Sequence, residues 1–148
     1  MIKTASFPVA FHRDEASLAA KSYMMSLAAL VIGLPLPIVN LLATLIFFFS
    51  FRRAHLFVRW HAMQAMLSQL TLFALNAPAF WWTVAVLFGS ASPDKYYVAY
   101  LLLVLLLNVG EFIATLVTVH HLSKQRHVKW WLYGDWCDEI LKVQSIRR

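Results

Sequence analysis

The sequence predicts an all-α integral membrane protein: a single domain over residues 1–148, built as a bundle of three to four transmembrane helices with a C-terminal interfacial amphipathic segment. Three observations predict it. Hydrophobic residues make up 61% of the chain and charged residues only 14%, where a soluble domain runs near one half and one quarter. Mean hydropathy is +0.65. Ser22 to Phe51 and Ala62 to Pro93 carry no charged side chain, and Tyr96 to Val119 carries only Glu111. A helix crosses the ~30 Å hydrocarbon core with about 20 apolar residues. Each stretch is long enough, and lipid leaves the backbone no partners outside a helix or a closed barrel. The runs are too long and continuous for barrel strands.

Residues 1–21 form an N-terminal segment. No cleavable signal is expected, because Asp14 and Glu15 interrupt its basic character and the apolar run behind it is too long for a secretory core. Region 22–51 follows, and GLPLP, Gly33 to Pro37, breaks it. Proline removes a backbone donor and clashes with the preceding turn. The region is therefore either one kinked span or a hairpin of two short helices. Basic residues mark the cytoplasmic side. One span gives nine Lys and Arg inside against four outside; a hairpin gives twelve against one. Charge favours the hairpin, and segment length favours the single span. Both readings place the first loop and the C-terminus in the cytoplasm, in a bacterial inner membrane.

Residues 54–61 read as an interfacial segment leading the chain into the membrane. Arg59 snorkels and Trp60 sits at headgroup level. His61 and Gln64 are less well explained that way, and at a spacing of three they share a helix face. Membrane helices are expected over 62–89 and 96–122, and a cytoplasmic aromatic and basic tail over 123–148. In the tail, Trp130, Trp131, Tyr133 and Trp136 suit an interfacial belt touching lipid or a partner. Ile140, Leu141 and Val143 continue an amphipathic segment on the membrane. Asp135, Asp138 and Glu139 read as a solvated acidic face. Cys137, the sole cysteine, excludes an intrachain disulfide and lacks the basic surroundings of a reactive thiol.

The segment LFVRWHAMQAML resembles the signature of the Tic-twenty-like family, which comprises a chloroplast inner-envelope import component and small bacterial relatives. Its hallmark, an aromatic-Val-Arg-aromatic-His/Asn-x-x-Gln-Ala run opening a membrane helix, falls here on Phe57, Val58, Arg59, Trp60, His61, Gln64 and Ala65. The preceding SYMMSLAALVIGLPLPIVNLLATLIFF is similar to the family's first membrane region. The resemblance implies four helices, which supports the hairpin, and a setting in protein translocation.

Glu111 is the sharpest single feature, since an acid inside a bilayer is costly and faces protein or water. It is expected near mid-depth. Asn108, Glu111, Thr115 and Thr118 recur at spacings of three and four and make one polar stripe. With Asn40, Ser68 and Thr71 at similar depth, they are expected to form an intramembrane polar layer. That layer serves either as a cation or substrate path or as packing glue. His61, His120 and His121 offer a weaker haem or metal reading, but no metal motif is present. No nucleophile elbow, phosphate loop or zinc-protease motif occurs, so no catalytic residue, metal or cofactor is assigned. Nucleic acid is not an expected partner; membrane lipids and other membrane subunits are. The expected function is a non-enzymatic accessory subunit of a larger membrane complex, with a small oligomeric transporter or channel using Glu111 as the alternative.

Overall fold

The structure, a computed structural model, describes residues 2–5, 7–33, 42, 45, 46, 48–51 and 53–142. The proline-bearing break beyond Gly33, with the choice between kinked span and hairpin, lies outside the described residues, as does Asn40. Strand β1 (Ile2–Ala5) leads into helix α1 (Arg13–Gly33). Helices α2 (Leu56–Leu87) and α3 (Lys95–Ser123) follow, then strand β2 (His127–Trp130) and the short helix α4 (Gly134–Ile140).

Helix α1 starts where Glu15 reaches back to accept from the His12 backbone N–H at 3.0 Å, half of a capping box. Its acidic first turn, Asp14 and Glu15, suits the positive helix end. Ala16, Ala19, Ala20 and Tyr23 form its buried face, the i, i+3, i+4, i+7 stripe of a packed helix. Small residues there let α1 lie close against both α2 and α3. Helix α1 runs parallel to α2. Glu15 pairs with His55 (3.3 Å), Phe11 stacks on Phe57 (4.0 Å) and Tyr23 meets His61 (3.3 Å).

Helices α2 and α3 are long and apolar enough to cross a membrane. They are antiparallel, joined by a turn with Gly89 in the left-handed region (φ +73°) and closed by Asp94, whose carboxylate caps the Tyr97 N–H at 2.8 Å. Their 32 and 29 residues make rods of ~48 and ~44 Å, well beyond the hydrocarbon core. The surface shows where the excess lies. Exposed large apolar side chains run from Val98 to Val117 on α3 and from Leu70 to Phe88 along α2 and its end. Those bands are ~30 and ~27 Å tall, which matches the core of a bilayer.

The other end is a protein-packed cap. There α2 is buried nearly all round, from Phe57 to Gln69. Strands β1 and β2 pair antiparallel in the register Ile2↔Trp130 through Ala5↔His127. The expectation of an all-α chain is corrected by this small sheet. Four residues, IKTA, are too few to show a strand period in the sequence; pairing with the distant tail makes them a strand. The chain start, the beginning of α2 and the tail thus share one end of the molecule. The interfacial segment expected at 54–61 is not separate, since its residues from Leu56 are the first turns of α2.

Candidate functional site

The segment FVRWHAMQAM occupies the centre of the cap, and its polar side chains converge on one buried network. Gln64 Nε2 donates to Tyr23 Oη at 2.7 Å, and Gln64 Oε1 accepts from the Trp130 backbone N–H at 3.0 Å. One amide therefore ties α1, α2 and β2 together. Its orientation follows, because only the oxygen can serve the Trp130 N–H. Tyr23 accepts from Gln64, so its own proton is available to His61 Nδ1 at 3.3 Å. His61 Nε2 is then the protonated nitrogen and donates to His127 Nδ1 at 3.1 Å. The network assigns the tautomer, and both nitrogens of His61 are engaged.

Trp60 fixes the outer side of the cap. Its indole N–H donates to Asp138 Oδ1 at 2.8 Å, while Lys129 Nζ bonds Asp138 at 2.6 Å and Asp135 at 2.7 Å. Burial opposes the charge of Lys129, but the two carboxylates outweigh it and hold its pKa above the ordinary value. The Lys129 bond holds Asp135 below its own. The Lys129 alkyl chain crosses Gly134 so closely that a Cβ there would stand 2.3 Å from it. Cys137 is fully buried beside Trp60 and Met63. Burial, then the Asp138 charge, push its thiol from 9.0 to about 12, with Lys129 opposing. The acidic patch expected to be solvated is therefore divided: Asp138 is a structural acceptor, while Asp135 and Glu139 face solvent.

The aromatic tail divides likewise. Trp131 and Trp136 are exposed, as an interfacial belt requires, but Trp130 and Tyr133 are buried. Trp130 donates its indole N–H to Thr118 Oγ1 at 2.7 Å, and its ring packs near Tyr23. These two are core residues of the cap rather than lipid contacts. Arg59, next to Trp60 in sequence, is only partly buried.

The intramembrane polar residues do not make a single layer. Asn108 pairs reciprocally with Asn76, at 2.8 and 3.2 Å. It lies at the middle of the lipid-facing band. Glu111 stands a turn closer to the cap, about 9 Å inside the band's edge at Val117. Ser68 lies against Glu111, but its hydroxyl donates to Ala65 O, and that of Thr71 to Leu67 O. Thr115 is buried. Asn76 and Tyr23 complete these groups and were not singled out in the sequence, while Asp138 was read there only as part of a solvated face. Asn76 had the one usable signal, an amide inside a charge-free run.

Comparison with known proteins rests on these elements. The pattern of the MamF/MmsF family, the magnetosome magnetite crystal formation protein family, matches residues 19–136. The chain belongs to that family. The match runs from within α1 into the first turn of α4 and so takes in Tyr23, His61, Gln64, His127 and Trp130, the residues of the buried network. No curated protein and no solved structure matches the chain. Membership overturns the resemblance to the Tic-twenty-like family. That resemblance rested mainly on a short run of arginine and aromatics opening a membrane helix, which interfacial physics favours in unrelated proteins. The translocation setting loses its support with it. What stands is a small membrane protein of a family concerned with magnetite crystal formation.

Proposed function

We propose that the protein is a non-enzymatic membrane subunit of the apparatus for magnetite crystal formation. In this reading α2 and α3 anchor it in the bilayer, and the cap holds a fixed surface toward other subunits. The supporting observation is that the chemistry-bearing residues of the signature are spent on structure. His61 bonds through both ring nitrogens, Gln64 through both ends of its amide and Trp60 through its N–H. A haem or metal on His61 would have to break that network first. The exposed Trp131 and Trp136 are of the type that anchors interfaces.

The cap is assigned to the cytoplasmic side. The segments that meet there, or lead into it, carry nine of the ten Lys and Arg among the described residues, and Lys95 belongs to the other end. With Cys137 replaced by Ser, a cysteine at Ser17 is protected from an impermeant reagent added outside. Labelling from outside rejects this orientation.

The subunit reading predicts stoichiometric co-purifying chains after gentle extraction from magnetite-forming cells. It also predicts that magnetite is altered in cells lacking the gene and restored by the parent chain but not by Gln64→Leu. A protein that purifies alone, with crystals unchanged by its loss, rejects it. The transporter alternative rests on Glu111 alone and requires ion flux from the reconstituted protein that Glu111→Gln abolishes.

A further inference from the structure

Between α3 and the returning tail lies a cavity of about 270 Å³, lined among others by Leu106, Gly110, Glu111, Trp130, Trp131 and Tyr133. Glu111 Oε1 is shielded from solvent and has no hydrogen-bond partner among the described residues. Ser68 is the hydroxyl that stands against the carboxyl group, but it donates to Ala65 O, and Oε1 itself is left without a donor. A shielded carboxyl oxygen without a donor is costly, and a ligand supplying N–H groups removes that cost. A Cβ built at Gly110 meets nothing within 4 Å, so the space beside the carboxyl is open.

The lining selects the ligand. A single carboxyl set among aromatic faces suits an organic cation, which donates hydrogen bonds to the one and gains cation–π attraction from the other. It does not suit a metal ion, and no group of three or more His, Cys, Asp or Glu able to hold one occurs among the described residues. Leu106 and Trp131 are strongly exposed, so the mouth opens toward the acyl chains along α3. We propose that this cavity binds an alkylammonium, the amino headgroup of a membrane lipid, with Glu111 as its counter-ion and the tail aromatics as its walls. The inference does not rest on the subunit role above.

The test uses the full chain in nanodiscs of equal phosphatidylethanolamine and phosphatidylglycerol, with retained lipid read by native mass spectrometry. The amino lipid is retained preferentially. Glu111→Gln reduces that retention at least about tenfold, the loss of one charge-assisted contact, and leaves phosphatidylglycerol unchanged. Gly110→Leu fills the open space at an exposed helical position, so the fold is kept, and it produces the same loss. Delipidated protein titrated with free ethanolamine separates the sources. Binding there that both variants abolish, without preference between the lipids, keeps the ammonium site but assigns it a soluble ligand. Equal lipid retention with no ethanolamine binding overturns the proposal, and so does parental binding in both variants.

Discussion

Replacing Gln64 with Leu removes the side chain that ties three elements of the cap. The volume is nearly kept, so the cost is polar. Two hydrogen bonds are lost, to Tyr23 Oη and from the Trp130 N–H, and that N–H is left buried without a partner. A net bond contributes about 1 kcal/mol and an orphaned buried donor costs about 1–3 kcal/mol, so the total is roughly 2–4 kcal/mol. The loss falls on the seating of β2 against α2, since the membrane-facing halves of α2 and α3 do not touch Gln64. Hydrogen exchange of the peptide spanning His127 to Trp130, followed by mass spectrometry in detergent micelles, reads that seating. When closing is fast, exchange follows the population of the open form. Even the low end of the range then accelerates it roughly 30-fold. The helical circular dichroism is retained. Exchange within about twofold of the parent, at unchanged helix content, refutes the assignment of Gln64 as the tie.

Asn108→Leu leaves Asn76 unpaired in the middle of the bilayer and costs about 1 kcal/mol in mixed-micelle unfolding; adding Asn76→Leu recovers most of it. The fully buried Cys137, its thiol pushed to about 12, resists iodoacetamide at about pH 8 and reacts once the chain is unfolded in SDS. Because that pKa is raised on folding, the neutral thiol adds to stability fully below about pH 9, and the contribution fades as pH climbs through about 12; rapid alkylation of the folded protein contradicts both. Asp138→Ala strips acceptors from Trp60 and Lys129 and costs about 1–3 kcal/mol. Asp135→Ala, at an exposed carboxylate, leaves the melting temperature unchanged; equal losses for the two refute the division between them.

The membrane helices were legible in the sequence because each depends on its own residues. Apolar runs with at most one charged residue gave 62–89 and 96–122 against the observed Leu56–Leu87 and Lys95–Ser123. The start of α2 was set late because Arg59 and His61 read as the edge of the membrane. In fact the helix continues through them, with the cap in place of lipid around it. The network was not legible. Gln64 marked itself as an unexplained amide, but its partners Tyr23 and Trp130 lie 41 and 66 positions away, and no local period carries that pairing. The same holds for β1, which is a strand only because the tail lies beside it. Glu111 was found by its charge alone.

The claim on which the rest depends is that the chain start and the tail meet on one side of the membrane to close the cap. Crosslinking tests it most directly. Thr4 faces Val128 across the β1–β2 pair, and facing residues of an antiparallel pair stand about 4.5–5.5 Å apart at Cα, within disulfide reach. With Cys137 changed to Ala, the Thr4→Cys, Val128→Cys chain should form an intramolecular disulfide on mild oxidation in native membranes. A Thr4→Cys, Ser90→Cys chain, with its second cysteine in the turn between α2 and α3, should form none. A crosslink to position 90, or none to position 128, would place the two ends of the chain apart and dissolve the cap.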